Sequence, residues 1–526
     1  MTPFSWSNPY PWPRKPLLAQ NAVATSQPLA AQSGLQMLAA GGNAVDAILA
    51  TAITLTLVEP VSNGIGSDAY AIVWDGARLH GLNASGRSPA GWTLDFFGAQ
   101  KAMPVRGWNT VTVPGCVSAW VALHERFGKL PFAKLFERAV QYGREGFLVS
   151  PTIAQQWGNQ LAELKGQPGF ADAFLPEGRA PRPGERFAFP AHARALESIA
   201  KSKGEAFYQG DIAQKLEADA KKHGAALRAS DLAAHRADWV TPLEMNYRGY
   251  TLHEIPPNGQ GMVALMALGM LEQFDLRSHP VDGADSLHLQ IEAMKLAFAD
   301  ARRYIADIDH MDVRPRQLLD RGYLKSRARL IDMKRAQDFG HGTPPKGGTV
   351  YLTAADASGM MVSFIQSNYL GFGSGVVVDG VSLQNRGGTF VIQPGHPNCV
   401  GPSKRPYQTI IPGFVTRDGK PVMSFGVMGG TMQPQGHAQV MVRIADYGQS
   451  PQAASDGPRF RILQGLDVSA EDGFPAATLA QLQARGHRIV TIDDYNQFGS
   501  AQLIWKLDGG YFVASDPRRD GQAVGF

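Results

Sequence analysis

Apolar positions in this chain repeat with two different periods, and the change falls next to residue 349. Between residues 20 and 335 the spacing is mostly helical. Leu29, Ala30, Leu35, Leu38 and Ala39 recur every three or four positions after Ser26, which stands where an N-cap belongs. Gly41-Gly42 end that run and Asn43 opens the next, so a helical pair is expected. Further helices are predicted over 117–127, 132–145, 191–203, 212–223, 261–274 and 285–308, with a hairpin of 69–74 and 79–82 around Asp75-Gly76. The Pro- and Gly-rich stretch 160–190 reads as loop. The most apolar run, 45–58, carries Asp46 and is too short for a membrane span, so it predicts a buried core helix.

A polar Pro/Gly run over 338–348 then reads as exposed backbone, and from there the period shortens to two. Residues 350–355 are rich in apolar and β-branched side chains, 356–359 turn the chain, and 360–365 return it. Thr349 is thus the first residue of a predicted hairpin. Strands are expected at 390–392, 408–415, 422–425, 488–492 and 501–506, with one helix over 435–446.

Composition narrows the picture. A chain of 526 residues, 44% of them hydrophobic, can bury a large core, and length alone allows about three or four domains. Fifty Lys+Arg against 46 Asp+Glu leave a net charge of +4, with no basic run interleaved with aromatics, so no nucleic-acid partner is expected. Cys116 and Cys399 cannot build a disulfide framework and sit at no metal-ligand spacing; both are expected to be buried free thiols, and no metal or cofactor is implied. Residues 1–15 lack the apolar centre of a secretory signal, which makes cytoplasmic residence the default expectation.

The stretch TVYLTAADASGMMVSFIQSNYLGFGSG, starting at Thr349, resembles the small-subunit start of the gamma-glutamyltransferase family, whose precursors cut themselves before such a threonine. GGNAVDA (41–47), VGPSKRP (400–406), MGGTMQPQ (428–435) and ASDPRRDGQAVGF (514–526) match the same family in the same order, so the likeness covers nearly the whole chain. The resemblance implies an α/β (α+β) fold of the N-terminal-nucleophile hydrolases, a four-layer αββα sandwich. It implies a cut between Gly348 and Thr349, giving a large subunit 1–348 and a small subunit 349–526 that share one core. A homodimer of that heterodimer is a further expectation.

The chemistry explains the threonine. A hydroxyl becomes a useful nucleophile when a base lies within hydrogen-bond reach, and a freed α-amino group, with a pKa of about 7.7–8.0, is such a base at neutral pH. Glycines at 347 and 348 would ease the backbone distortion that attack on the Gly348 carbonyl requires. By resemblance, Ser367 supplies a second hydroxyl that hydrogen-bonds the nucleophile, and the N–H groups of Gly429 and Gly430 stabilise the oxyanion.

The substrate-reading positions depart from the family. Ser85 stands in place of the arginine that clamps the glutamate carboxylate, and Thr389 in place of the aspartate that holds its amino group. Gln408 and Thr409 replace two serines, Tyr369 an asparagine, and Arg386 a glutamine. Burying an ammonium without a carboxylate partner costs several kcal/mol, so a small-molecule amide with a carboxylate-bearing, non-glutamyl acyl group is expected, oxamate-like or glutaryl-like, read by Arg386 or Arg87. For either arginine a structural salt bridge is the alternative. Between Phe390 and Val400 the chain is shorter than in lidded relatives, which predicts an open pocket. Two other functions stay open at this point: a true gamma-glutamyltransferase with a rearranged clamp, and an inactive binding relative.

Overall fold

The computed structural model describes residues 14–339, 348–492 and 494–526. The predicted exposed run therefore lies, over 340–347, outside the described residues, as does most of the N-terminal segment weighed as a signal. The hairpin after Thr349 sits at the centre of the molecule. Gly348–Ala355 pairs antiparallel with Met361–Tyr369 on one side and with Ala22–Thr25 on the other, and Met361–Tyr369 pairs in turn with Asp68–Trp74. With Gln522–Gly525, Leu79–Asn83 and Asp238–Val240 these strands form a seven-stranded sheet. A second seven-stranded sheet runs Leu17–Ala19, Gly510–Ser515, Ser500–Leu507, Lys420–Met428, Gly413–Arg417, Tyr250–Glu254, Leu243–Tyr247.

Strand side chains alternate between faces, and here both faces are covered. Val350, Leu352, Ala354, Val362 and Phe364 point into a core shared with the helices Pro28–Ala39, Ala44–Val58 and Cys116–Phe127. Tyr351, Ala355, Met361, Ile365, Tyr70 and Ile72 point the other way, into a layer closed by Phe414, Met428, Ile504 and Val513 of the second sheet. Gly426 permits that closure, because a Cβ there would stand 2.4 Å from the Tyr351 ring. The helices Gly261–Leu271, Ala284–Tyr304 and Met432–Ala445 cover the far face of the second sheet. The result is the four-layer αββα sandwich. Among the described residues no helix is long and apolar enough to cross a membrane; all of Ala44–Val58 is buried, its N-terminus closed by a capping box between Asn43 and Asp46.

Most predicted helices form close to their expected bounds, and the differences have local causes. Gln27, not Ser26, caps the first helix by accepting the Ala30 N–H at 3.1 Å, because the Ser26 hydroxyl donates to Glu59 at 2.5 Å. The stretch 160–190 contains the short helices Leu161–Leu164 and Phe170–Phe174, and 390–392 makes a single bridge, Val391 to Cys399, instead of a strand. Of 408–415 only Gly413–Arg417 is strand. Cys116 is buried as expected, whereas Cys399 is partly exposed. A three-stranded satellite sheet of Phe460–Gln464, Asp467–Glu471 and Arg488–Ile492 was legible only in its last strand.

The C-terminal motif ties that satellite to the sandwich. Asp516, fully buried, accepts from Arg459 Nη2 and from the Ala501 N–H, both at 2.7 Å, while Arg518 pairs with Glu471 at 2.6 Å. Burial alone would raise the Asp516 pKa, but Arg459 and Arg518 outweigh it and hold the carboxyl below its ordinary value. A depressed folded-state pKa means that this stabilisation is present above the ordinary carboxylate range and is lost as the pH falls through the folded value. Asp516→Ala leaves Arg459 buried without its partner and is expected to cost about 3–5 kcal/mol. Chemical denaturation at neutral pH checks this; a loss below about 1 kcal/mol, the value of an exposed pair, would contradict the buried assignment.

Candidate active site

The pairing between Gly348–Ala355 and Met361–Tyr369 shifts register between Gly348 and Val350, a bulge centred on Thr349. The bulge brings the Thr349 hydroxyl 3.1 Å from that of Ser367, with Thr349 1% exposed and Ser367 fully buried. Ser367 Oγ also accepts the Tyr369 N–H at 2.8 Å, and either hydroxyl can donate in the contact with Thr349. On the other side Gln433 Nε2 approaches Thr349 Oγ1 at 3.4 Å, and the Gln433 carbonyl is anchored by the Ile411 N–H at 3.0 Å. Gln433 belongs to the first turn of Met432–Ala445 and escaped the sequence reading, although it lies within the MGGTMQPQ block.

Gly429 and Gly430, with φ of 127° and 62°, form the turn between Lys420–Met428 and that helix. Side chains rarely tolerate such φ values. Their carbonyls accept the Met432 and Gln433 N–H groups at 3.1 and 3.2 Å, so the turn leads directly into that helix. Gln260 fixes this turn by donating to the carbonyls of Gly430, at 2.9 Å, and Thr409, at 2.6 Å.

Next to the hydroxyl pair lies a buried charged pair, Arg386 and Asp68. Arg386 is fully buried, with its guanidinium 4.6 Å from the Tyr369 ring centroid and Nη1 donating to Thr409 Oγ1 at 2.7 Å. Among the described residues its Nε and Nη2 have no hydrogen-bond partner. Burial pushes its pKa down to about 10, against the opposing pull of Asp68, Tyr369 and Tyr70, so it stays cationic. Asp68, also fully buried, has Oδ2 3.8 Å from Arg386 Nε and accepts from Gln408 Nε2 at 2.9 Å and from the Gly86 N–H at 3.1 Å. Burial raises the Asp68 carboxyl to about 6, in spite of Arg386, these hydrogen bonds and Arg405.

Asp68 was missed by the sequence reading, which found no acidic group among the family-matched positions. Its signal was parity: it is the direct cross-strand neighbour of Ser367 and alternates with Tyr70 and Ile72 on the inter-sheet face. The other expected site residues divide. Gln408 serves Asp68, and Thr409 serves Arg386. Thr389 Oγ1 lies 2.8 Å from the Arg386 carbonyl and 2.6 Å from that of Tyr407, which makes it a backbone brace. Arg87 is 40% exposed and faces Asp307 at 3.5 Å, outside the site, so the salt-bridge alternative holds for it. Ser85 is buried against Asn83, Asn258 and Tyr70, and the residue after it, Gly86, donates its N–H to Asp68.

A cavity of about 540 Å³ leads to this centre, lined by Tyr369, Thr409 and Thr431 at one end and by Phe298, Arg302 and Ile462 among others. Thr349, Ser367 and Arg386 do not line it; Arg386 lies behind Tyr369 and Thr409. The short loop after Phe390 forms part of the wall, through Val391, Gln393, His396 and Asn398. Among the described residues the fold also gathers His288, Glu292 and His487, but there the two imidazoles hydrogen-bond at 2.8 Å and Lys295 pairs with Glu292 at 2.8 Å.

The geometry has counterparts. The chain is 35% identical over 517 residues to the glutathione hydrolase-like YwrD proenzyme of Bacillus subtilis (strain 168), covering 96% of this chain and 98% of that one. It is 35% identical over 515 residues to the oxamate amidohydrolase proenzyme of Klebsiella pneumoniae, with coverages of 95% and 97%. Among solved structures it is similar to the cephalosporin acylase from Bacillus halodurans, with a TM-score of 0.96, 46% identity and coverages of 100% and 99%. The gamma-glutamyltranspeptidase family profile matches residues 30–526. The chain belongs to the gamma-glutamyltranspeptidase family of hydrolases and acyl-transferring enzymes.

Proposed function

We propose that this protein is a self-processing amidohydrolase that uses Thr349 as nucleophile and removes a small carboxylate-bearing acyl group from an amide. The observation that carries the reading is the buried contact between the Thr349 and Ser367 hydroxyls, beside Gln433 and next to a guanidinium with two nitrogens that make no hydrogen bond among the described residues. In maturation, Thr349 Oγ1 attacks the Gly348 carbonyl, the peptide nitrogen leaves as the α-amino group, and water cleaves the resulting ester. Residues 1–348 and 349–526 then remain as two subunits of one folded core. In turnover the α-amino group takes the hydroxyl proton as Oγ1 adds to the substrate amide. In this reading the Gly429 and Gly430 N–H groups receive the oxyanion, the amine departs with the proton, and water releases the acid.

Arg386 supports an anionic acyl group. A buried guanidinium with unsatisfied donors carries a desolvation cost that an incoming carboxylate removes. Relatives named for oxamate amidohydrolase and cephalosporin acylase activity are in keeping with an acid side chain other than γ-glutamyl. Asp68 favours a second reading, since its carboxylate offers an ammonium partner that Thr389 does not. A γ-glutamyl substrate would then use Arg386 and Asp68 together.

Wild-type protein is expected to separate into two fragments under denaturing conditions, the smaller beginning at Thr349, and Thr349→Ala to remain one chain. An intact, active wild-type chain contradicts the assignment. Ser367→Ala removes a hydrogen bond to the nucleophile, worth about 0.5–1.5 kcal/mol or more to a developing charge, and is expected to lower kcat about tenfold with the melting temperature retained; an unchanged kcat returns Ser367 to a packing role. For the substrate, hydrolysis of a short carboxylate-bearing amide is expected to exceed that of a γ-glutamyl anilide, with Arg386→Ala raising KM for the former about tenfold or more. A better γ-glutamyl anilide with an indifferent Arg386→Ala would select the second reading.

A further inference from the structure

Asp68 and Arg386 are both fully buried and stand 3.8 Å apart at Oδ2 and Nε, too far for a hydrogen bond, with two guanidinium nitrogens left over. An ion pair at that distance is electrically near neutral, so admitting an acyl carboxylate beside it adds a net buried negative charge. Such a charge is costly in a dry site, and the nearest relief is a proton on Asp68.

We infer that Asp68 is a specificity-determining residue: it takes up one proton when an anionic acyl group binds Arg386, and so sets which acyl charge the site accepts. The inference rests on the proposed acyl-carboxylate reading of Arg386. Asp68 acts through the charge of its buried pair with Arg386, not on the reacting bond. Its surroundings leave it the group that titrates near neutrality. Arg386, beneath Tyr369, stays cationic with its pKa at about 10, and burial raises the hydroxyls of Tyr70 and Tyr208 and the Cys116 thiol above their ordinary values. Arg405, the remaining cation acting on Asp68, is held by Asp238 at 2.7 Å and by the Ser85 carbonyl at 2.9 Å. His235, on the far side of Arg405, is pushed down to about 3 by burial and by Arg405, Arg87 and Arg236, and stays neutral. The Asp68 carboxyl, raised to about 6, is therefore ionised at pH 8 and half protonated near pH 6.

The consequence is a KM that depends on pH and on substrate charge together. For matured wild-type enzyme, KM for an anionic amide whose acid group stays ionised throughout is expected to rise about tenfold per pH unit above pH 6, one proton being linked to binding. KM for its uncharged carboxamide isostere is expected to be flat. The α-amino group of Thr349 would act on kcat, which separates the two ionisations. Asp68→Asn is expected to abolish the slope and to lower KM for the anionic amide at pH 8 about tenfold or more, while the shape of the kcat profile persists. Equal slopes for the two wild-type substrates, or a wild-type slope surviving in Asp68→Asn, overturn the inference. So does an Asp68→Asn enzyme whose KM for the anion is raised at every pH, which marks Asp68 as a mere support for Arg386. Should Asp68→Asn fail to fold, the two wild-type slopes decide alone. An anionic substrate that is preferred without any pH slope defeats this inference only, whereas an isostere preferred at every pH with Arg386→Ala indifferent defeats the acyl-carboxylate reading itself.

Discussion

The pairing of Gly348–Ala355 with Met361–Tyr369 leaves neither strand a solvent face, and the positions of the chemical groups follow from that. With helices on one side and a second sheet on the other, each side chain has only two directions open to it. Residues of one parity join the helix-packed core. Those of the other parity enter the inter-sheet layer, where Asp68 and Ser367 stand opposite each other and Thr349 reaches Ser367 through a bulge. A register slip of one residue would send the Ser367 hydroxyl to the wrong face. The satisfied side chains around it, such as Gln366 with Trp120 and Asn63, hold the register in place.

Within that layer polar groups are few and each is placed against a cost. The hydroxyl pair, Gln433 and the Gly429-Gly430 turn are all anchored by backbone or amide hydrogen bonds. Arg386 departs from this: it is buried with two donors unpaired, and its companion Asp68 is pushed toward neutrality. Such incompletely paired buried charge is expensive in a resting core and is expected where a ligand completes it. Tyr369 and Thr409 stand between Arg386 and the outer cavity, so the charged pair is closed off from it.

What could be read from the sequence and what could not separate along physical lines. Local signals survived: the helix start at Asn43, the turn at 356–359 and the helix after Gly429-Gly430 depend on residues close in the chain. The contact of Thr349 with Ser367 was accessible too, through family likeness and a short hairpin. Long-range partnerships were not. Ser26 looked like a cap until Glu59 claimed its hydroxyl, and Arg87 looked like a reader until Asp307 placed it outside. Asp68 lies hundreds of positions from Arg386 and Gln408, in a segment whose spacing announces only a strand. The strands Leu243–Tyr247, Tyr250–Glu254 and Gly510–Ser515 were likewise hidden, since their faces are defined by partners distant in sequence.

The claim on which everything above turns is that Thr349 carries the acyl group. Acid quenching of the enzyme during turnover of a carboxylate-bearing amide, followed by mass spectrometry of the fragments, addresses it directly. The account predicts that the acyl mass is found on the fragment 349–526 and maps by tandem fragmentation to its first residue, Thr349. An acyl group on any other residue, or turnover with no trapped adduct by a chain still intact from 1 to 526, would contradict it.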